Sequence, residues 1–212
     1  MPDFSFEDRH GAHVAGVDEV GRGPWAGPIV AGAVVFERGA VCPKALALLK
    51  DSKKMTARAR LKARDALFQE AEREHLWFCL GEASVEEIDA LNIHQATLLA
   101  MARAVEGLAR APSYLLVDGL FVPKGSVPGQ PLVKGDDKSL SIAAAAILAK
   151  VARDALMADL ASAFPGYGWE KNAGYGTKAH QEGLALHGVT PHHRRSFAPI
   201  AKLISQDTSR AA

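Results

Sequence analysis

Two uncharged, β-rich runs joined by a glycine- and proline-rich turn, with adjacent acids closing the first run, constrain this chain more than any other feature. His13 to Val17 and Ile29 to Phe36 read as neighbouring strands, and Gly21-Arg22-Gly23-Pro24-Trp25-Ala26-Gly27-Pro28 is the turn between them. Asp18 and Glu19 fall where the first strand runs out. Neighbouring carboxylates repel, and burying them is costly unless something cationic compensates. An isolated Asp-Glu pair is therefore either an acidic surface turn or part of a cation site.

Further elements follow from periodicity and capping. Thr56 to Glu74 is rich in helix formers, and Leu76 to Leu80 reads as a short buried strand. Ser84 with Glu87 is a capping box opening a short helix. His94 to Leu108 has apolar residues at helical spacing before Pro112. Tyr114 to Val117 is a strand that stops at Asp118-Gly119, where an α/β sheet presents its chemistry. Gly125 to Gly135 reads as a loop, Ser139 or Ser141 caps a long alanine-rich helix to about Ala163, and Lys178 to Leu186 is helical. With 212 residues, 48% of them hydrophobic, the expectation is one α/β domain with a core over about 13–197, a helical C-terminal portion and a tail over about 198–212.

Asp118 ends its strand as Asp18 and Glu19 end theirs, and Asp154 lies one turn beyond Lys150 in the alanine-rich helix. These four acids form a candidate hard-metal site. For Asp154 the alternative is an exposed Lys150–Asp154 pair worth only ~0.3–0.5 kcal/mol, and Asp136 or Asp137 could supply the fourth carboxylate instead. Oxygen ligands without Cys or His favour Mg²⁺ or Mn²⁺ over zinc. Two such ions about 3.5–4 Å apart would serve in-line phosphoryl displacement, with Asp18 the first choice for a bridging ligand.

The turn at Gly21 formally satisfies the G-x-G-x-x-G/A dinucleotide fingerprint. A nicotinamide or flavin enzyme would need a helix after Ala26, whereas the pattern at 29–36 is a strand. A catalytically silent nucleic-acid-binding domain is the second rival. Net charge is only +1, so affinity for a polyanion must come from local clusters: Lys53, Lys54, Arg58, Arg60, Lys62 and Arg64, and His192, His193, Arg194 and Arg195. Cys42 and Cys79 form no CxxC pattern, residues 1–8 carry no signal-peptide core, and the apolar stretch Ile142 to Ala149 is too short to cross a bilayer. A cytoplasmic, non-membrane protein is expected, with monomer as the default state.

Several long motifs then occur in a fixed order: Gly16-Val17-Asp18-Glu19-Val20-Gly21-Arg22-Gly23-Pro24 with Ala26-Gly27-Pro28, Asp51-Ser52-Lys53-Lys54, Val117-Asp118-Gly119, Lys134-Gly135-Asp136, Ser141 to Ala145 with Ile147 to Asp154, and Gly174-Tyr175-Gly176-Thr177. Together they resemble the ribonuclease HII family over roughly residues 13 to 197. The resemblance implies a ribonuclease H-like mixed β-sheet flanked by helices, with Asp18, Glu19, Asp118 and Asp154 as active-site carboxylates holding two Mn²⁺ or Mg²⁺ ions. It implies that the Gly21-Arg22-Gly23 backbone senses a ribose 2′-hydroxyl and that Tyr175 stacks on the neighbouring sugar. Arg22, Lys53 and Thr177 are further substrate-binding candidates, with Lys54, Lys150, His180 and the cluster at 192–195 held more loosely. The implied reaction is cleavage of RNA–DNA hybrids, and of duplex DNA 5′ of single ribonucleotides, leaving 3′-hydroxyl and 5′-phosphate ends. Its biological setting would be ribonucleotide removal and primer clearance. Ala146, where a serine is common in the family, and Leu140 depart from the pattern without touching a proposed ligand. Docking of a sliding clamp on the tail is left open.

Overall fold

A computed structural model describes the backbone of residues 1–211 and the side chains of residues 1–206. The two runs that open the sequence form β1 (Val14–Val20) and β2 (Ile29–Phe36), paired antiparallel with Ala15 opposite Val35 and Val20 opposite Val30. A strand at 29–36 removes the dinucleotide-enzyme alternative, which needed a helix there. β3 (Leu76–Ala83) adds antiparallel to β2 and runs past the expected end at Leu80. On the other side β4 (Tyr114–Asp118) and then β5 (Gly129–Leu132) add in parallel, so the mixed five-stranded order is β3-β2-β1-β4-β5.

β5 corrects the expectation of a loop over 125–135. Gly129 and Pro131 are turn residues by composition, but Pro131 lies on the sheet edge, where a missing N–H costs no ladder bond.

Residues alternate in facing the two helical layers. Ala15 and Val17 of β1, with Val117 of β4, pack beneath α4 (Ile93–Glu106) through Ala96, Ala100 and Ala104. Val34 and Phe36 of β2 face α5 (Leu140–Ala163) and α2 (Ala57–Glu72). Between them come α1 (Pro43–Leu46) and α3 (Val85–Leu91), the latter opened by the Ser84–Glu87 capping box that the sequence predicts. Beyond α5 lie α6 (Trp169–Asn172), α7 (Lys178–His187) and α8 (Ala198–Ala211), which pack around Met157, Trp169, Leu184 and Ile200 as a helical C-terminal portion. No helix among the described residues is long and apolar enough to cross a membrane.

The first turn of α5 rests directly on β1. A Cβ at Gly16 would overlap the main chain of Ser141 and Ile142, and one at Gly32 would come within 2.7 Å of the Ala145 carbonyl oxygen. This close approach draws the N-terminus of α5 toward the ends of β1 and β4. Ser139 caps the helix by accepting from the Ile142 N–H. Buried Glu7, which the sequence reading left unassigned, accepts from the Ser139 hydroxyl at 2.7 Å and the Ser141 N–H at 3.0 Å, a favourable place for an anion.

Because the obstruction at Gly16 is main chain rather than a movable side chain, Gly16→Ala should cost at least about 2 kcal/mol in urea unfolding. A loss below about 0.5 kcal/mol would show that α5 can withdraw without penalty.

Candidate active site

Parallel pairing of β1 with β4 sets Val17 opposite Val117. One step further along both strands, Asp18 and Asp118 stand side by side where the β1–β4 pairing ends, while β1 stays paired with β2 as far as Val20. Asp18 is 4% exposed, on the face that α5 covers. Its carboxyl is pushed well above the ordinary carboxylate range, first by burial and then by the charges of Glu19 and Asp118. Glu19 is pushed to about 7, mainly by burial, with Arg22 opposing the rise and Asp118 adding to it. Its Oε2 is buried without a hydrogen-bond partner, while Oε1 lies 3.6 Å from the Arg22 guanidinium. Asp118 Oδ1 accepts from the Gly135 N–H at 2.7 Å, which ties β4 to the segment leading into α5.

The structure separates the alternatives for a fourth acid. Asp136, 5% exposed, follows Gly135 directly, and its carboxyl is raised by burial and by the charges of Asp118 and Asp51. Asp154 stands elsewhere: Lys150 donates to it at 2.7 Å and Arg60 lies 3.6 Å away. Arg60 also donates to the carbonyls of Ser52 and Met55, so Asp154 helps staple α2 and the 52–55 turn to α5. Asp137 is turned outward and accepts from Lys54 at 2.8 Å.

Lys53 comes from that same turn. Burial alone would lower its pKa, but the carboxylates of Asp18, Asp136, Asp118 and Asp51 hold it above the ordinary lysine value. Its ammonium and the Arg22 guanidinium are thus cations that this acidic cluster sees. Among the described residues no group of three or more His, Cys, Asp or Glu side chains, as they stand, converges closely enough to hold a metal ion. The donor set nevertheless suits a hard cation: buried, mutually repelling carboxylates, an orphaned oxygen on Glu19 and no soft ligand.

The glycine turn adjoins the acids. Gly21 has φ +106°, a conformation open to glycine, and Arg22 and Gly23 are exposed. The ring of Tyr175, 50% exposed, covers Gly23, where an added Cβ would meet Tyr175 Cε1 at 3.2 Å. Thr177 takes a structural place, capping α7 by accepting from the His180 N–H and also accepting from Asn172 Nδ2.

The basic cluster at 192–195 is divided: Arg195 is exposed and His192 half-buried, but the middle two residues are interior. His193 and Arg194 are fully buried, because apolar and backbone groups of the 21–28 turn close over them. His180 is buried with them: its Nδ1 donates to the Tyr175 carbonyl, while its Nε2 accepts from Trp169 Nε1 and from His193 Nε2. This pattern needs both rings neutral, and burial lowers both pKa values, that of His193 to about 4. Neither ring is free for phosphate. Lys54 and Lys150 are likewise engaged with acids. The sequence reading did not single out Arg153, which is buried among carbonyls; its signal was a lone charge on the otherwise apolar stripe Ala145, Ala149, Met157.

A profile described as Ribonuclease HII matches residues 15–200, spanning the carboxylate edge, the glycine turn and the C-terminal helices. The chain belongs to the ribonuclease HII family. Ribonuclease HII proteins of Rhodospirillum rubrum and of a Jannaschia species are 55% and 57% identical to it, over 97% and 96% of this chain and 93% and 98% of theirs. Ribonuclease H2 of Pyrococcus horikoshii superposes with TM-score 0.76 at 25% identity, covering 92% of this chain and 98% of that one. A Bst-RNase HIII in complex with Mn²⁺ shares the fold at TM-score 0.72 and 20% identity, over 99% and 75% of the two chains. Membership in ribonuclease HII makes the chain a ribonuclease H: an endonuclease that hydrolyses RNA in RNA–DNA hybrids.

The raised carboxyls have a measurable consequence for stability. A folded-state pKa above the unfolded one favours the fold fully below the unfolded value and loses that contribution as pH rises through the folded value. For Glu19 the window runs from 4.5 to about 7. In the presence of EDTA, Glu19→Gln should therefore stabilise the protein by on the order of 2 kcal/mol at pH 8. The gain should vanish below about pH 4.5, the ordinary glutamate value. An equal gain at both pH values in urea titrations would refute the assignment.

Proposed function

We propose that Asp18, Glu19, Asp118 and Asp136 hold the divalent cations with which this enzyme cleaves, with Asp154 outside the set. The observation that carries this reading is the β1–β4 register, which puts Asp18 beside Asp118 on a buried edge that Glu19 and Asp136 also border. Oxygen donors of this kind suit Mg²⁺ or Mn²⁺, and the Bst-RNase HIII complex is a fold relative that holds Mn²⁺. Two ions so held would activate water and stabilise the departing oxygen in phosphodiester hydrolysis.

The protein's own groups supply the rest. Arg22 and Lys53 bring positive charge to the phosphates on either side of the acids. The Arg22 and Gly23 amides, exposed beside Glu19, face the ribose 2′-hydroxyl, the group that distinguishes RNA from DNA. Tyr175 offers a ring face to the adjoining sugar. Substrates are RNA–DNA hybrids and duplex DNA with single embedded ribonucleotides, cut 5′ of the ribonucleotide to leave 3′-hydroxyl and 5′-phosphate ends. The whole of 1–212 acts as one catalytic domain, in a cytoplasmic setting and as a monomer. Any clamp docking falls on α8, whose side chains from 207 onward lie outside the described residues.

Incubation of a duplex containing one ribonucleotide, with and without Mg²⁺ or Mn²⁺, should give a single ion-dependent cut on its 5′ side. Asp118→Asn should lower turnover at least about a hundredfold, the effect of ~3 kcal/mol of lost charge stabilisation, while duplex binding persists. Unchanged turnover would defeat the cation reading and favour a silent binding domain. Asp136→Asn should match Asp118→Asn, whereas Asp154→Asn should act mainly on stability; the reverse order would return Asp154 to the ligand set.

A further inference from the structure

Buried charge in this molecule is not confined to the acids. Arg153 and Arg194 are 1% and 0% exposed, and neither has a carboxylate within ion-pair distance among the described residues. Desolvation lowers their pKa values to about 10 and about 9, and Arg194 is lowered further by the neighbouring charge of Arg153. Placing two unpaired guanidiniums together is costly, so the geometry that tolerates them is informative.

Both forks are filled by main-chain carbonyls of one segment. Arg153 donates to Pro28 at 2.9 Å, Ala26 at 3.1 Å and, across the turn, Ala173 at 3.0 Å. Arg194 donates to Gly27 at 2.9 Å, Arg22 at 3.0 Å and Gly21 at 2.5 Å. The Arg194 N–H takes the Trp25 carbonyl at 2.8 Å. The carbonyls of the turn are therefore drawn inward from Gly21 onward. Conversely, the amides of Arg22 and Gly23, both exposed residues, meet no acceptor among the described residues. The ring of Tyr175 is held over the same turn: the Trp25 N–H donates to Gly174, and Arg153 reaches Ala173. Asp89 anchors the arginine-bearing segment from behind, accepting from the N–H groups of Arg195 and Ser196 at 2.9 and 2.8 Å.

We infer that Arg153 and Arg194 are positioning residues for substrate discrimination: by pulling the carbonyls of residues 21–28 inward they aim the Arg22 and Gly23 amides outward and so set the preference for ribose at the cut site. The inference rests on the reading of this turn as the ribose sensor. Among the described residues no carboxylate reaches either guanidinium within ion-pair distance, Asp154 and Asp89 acting only at longer range, so the pair also presents positive potential behind the amides, where an oxygen-rich ligand approaches. A lysine in place of either arginine keeps the charge but loses the planar fork that spans several carbonyls.

The test uses a strand with several ribonucleotides embedded in duplex DNA and reads the ratio of cuts at the RNA–DNA junction to internal cuts, in Mn²⁺. Arg153→Lys and Arg194→Lys should each lower that ratio at least tenfold, with the Mn²⁺ concentration for half-maximal rate unchanged within twofold. A ratio within twofold of the parent would overturn the inference, as would an equal fall in both kinds of cut with the ratio intact, which marks only a structural role. Gly23→Ala serves as the control for the underlying reading. If it lowers the ratio while the arginine variants do not, the positioning role fails alone; if it too leaves the ratio unchanged, the sensor reading fails and the inference with it. Should the arginine variants not fold, Asp89→Ala, which frees the 194–196 segment without touching the turn, must lower the ratio or the inference is wrong.

Discussion

Like charges forced together at the end of a parallel strand pair are the constraint around which this molecule is arranged. The β1–β4 register leaves Asp18 and Asp118 no separation along the sheet, and α5, seated on Gly16, removes the water that would screen them. Repulsion and desolvation both oppose ionisation there. The protein answers only in part, with Lys53 from the 52–54 turn and Arg22 from the glycine turn. A site left with this residual imbalance favours a divalent cation over any further side chain the fold could offer.

The opposite imbalance lies behind the glycine turn. Two guanidiniums with no carboxylate at ion-pair distance among the described residues are accommodated because carbonyl oxygens, each a fixed dipole, crowd around them. The neutral His180–His193 pair continues this polar layer toward Trp169 and Thr190. Carboxylates on one side of the turn and guanidiniums on the other hold it between opposite fields. Its backbone is thereby far more tightly specified than a loop of glycine and proline would suggest.

Local chemistry was legible wherever it decides structure by itself. The Ser84–Glu87 capping box, the helix read over Thr56 to Glu74 and the uncharged run of β2 all emerge at or near their expected places. β5 was hidden because Gly129 and Pro131 carry turn propensities, and only pairing to β4 at a sheet edge makes an extended strand of them. The cluster at 192–195 misled for a related reason. Arginine and histidine are exposed by default, and nothing local announces that His193 and Arg194 will be covered by a turn more than 160 residues earlier. The same limit left the fourth acid open, since Asp136 and Asp154 differ in what surrounds them rather than in their immediate sequence.

The sequence by itself determined which residues could form strands and helices, which acids close the strands, and which family the ordered motifs resemble, because propensity, capping and motif order are properties of short segments. Only the tertiary structure decided that Asp136 is buried within the field of Asp118 while Asp154 pairs with Lys150 and Arg60, and that Arg153 and Arg194 are buried among main-chain carbonyls. Burial and electrostatic field arise from chain segments distant in sequence, and they fix the state of an ionisable side chain only once those segments have met.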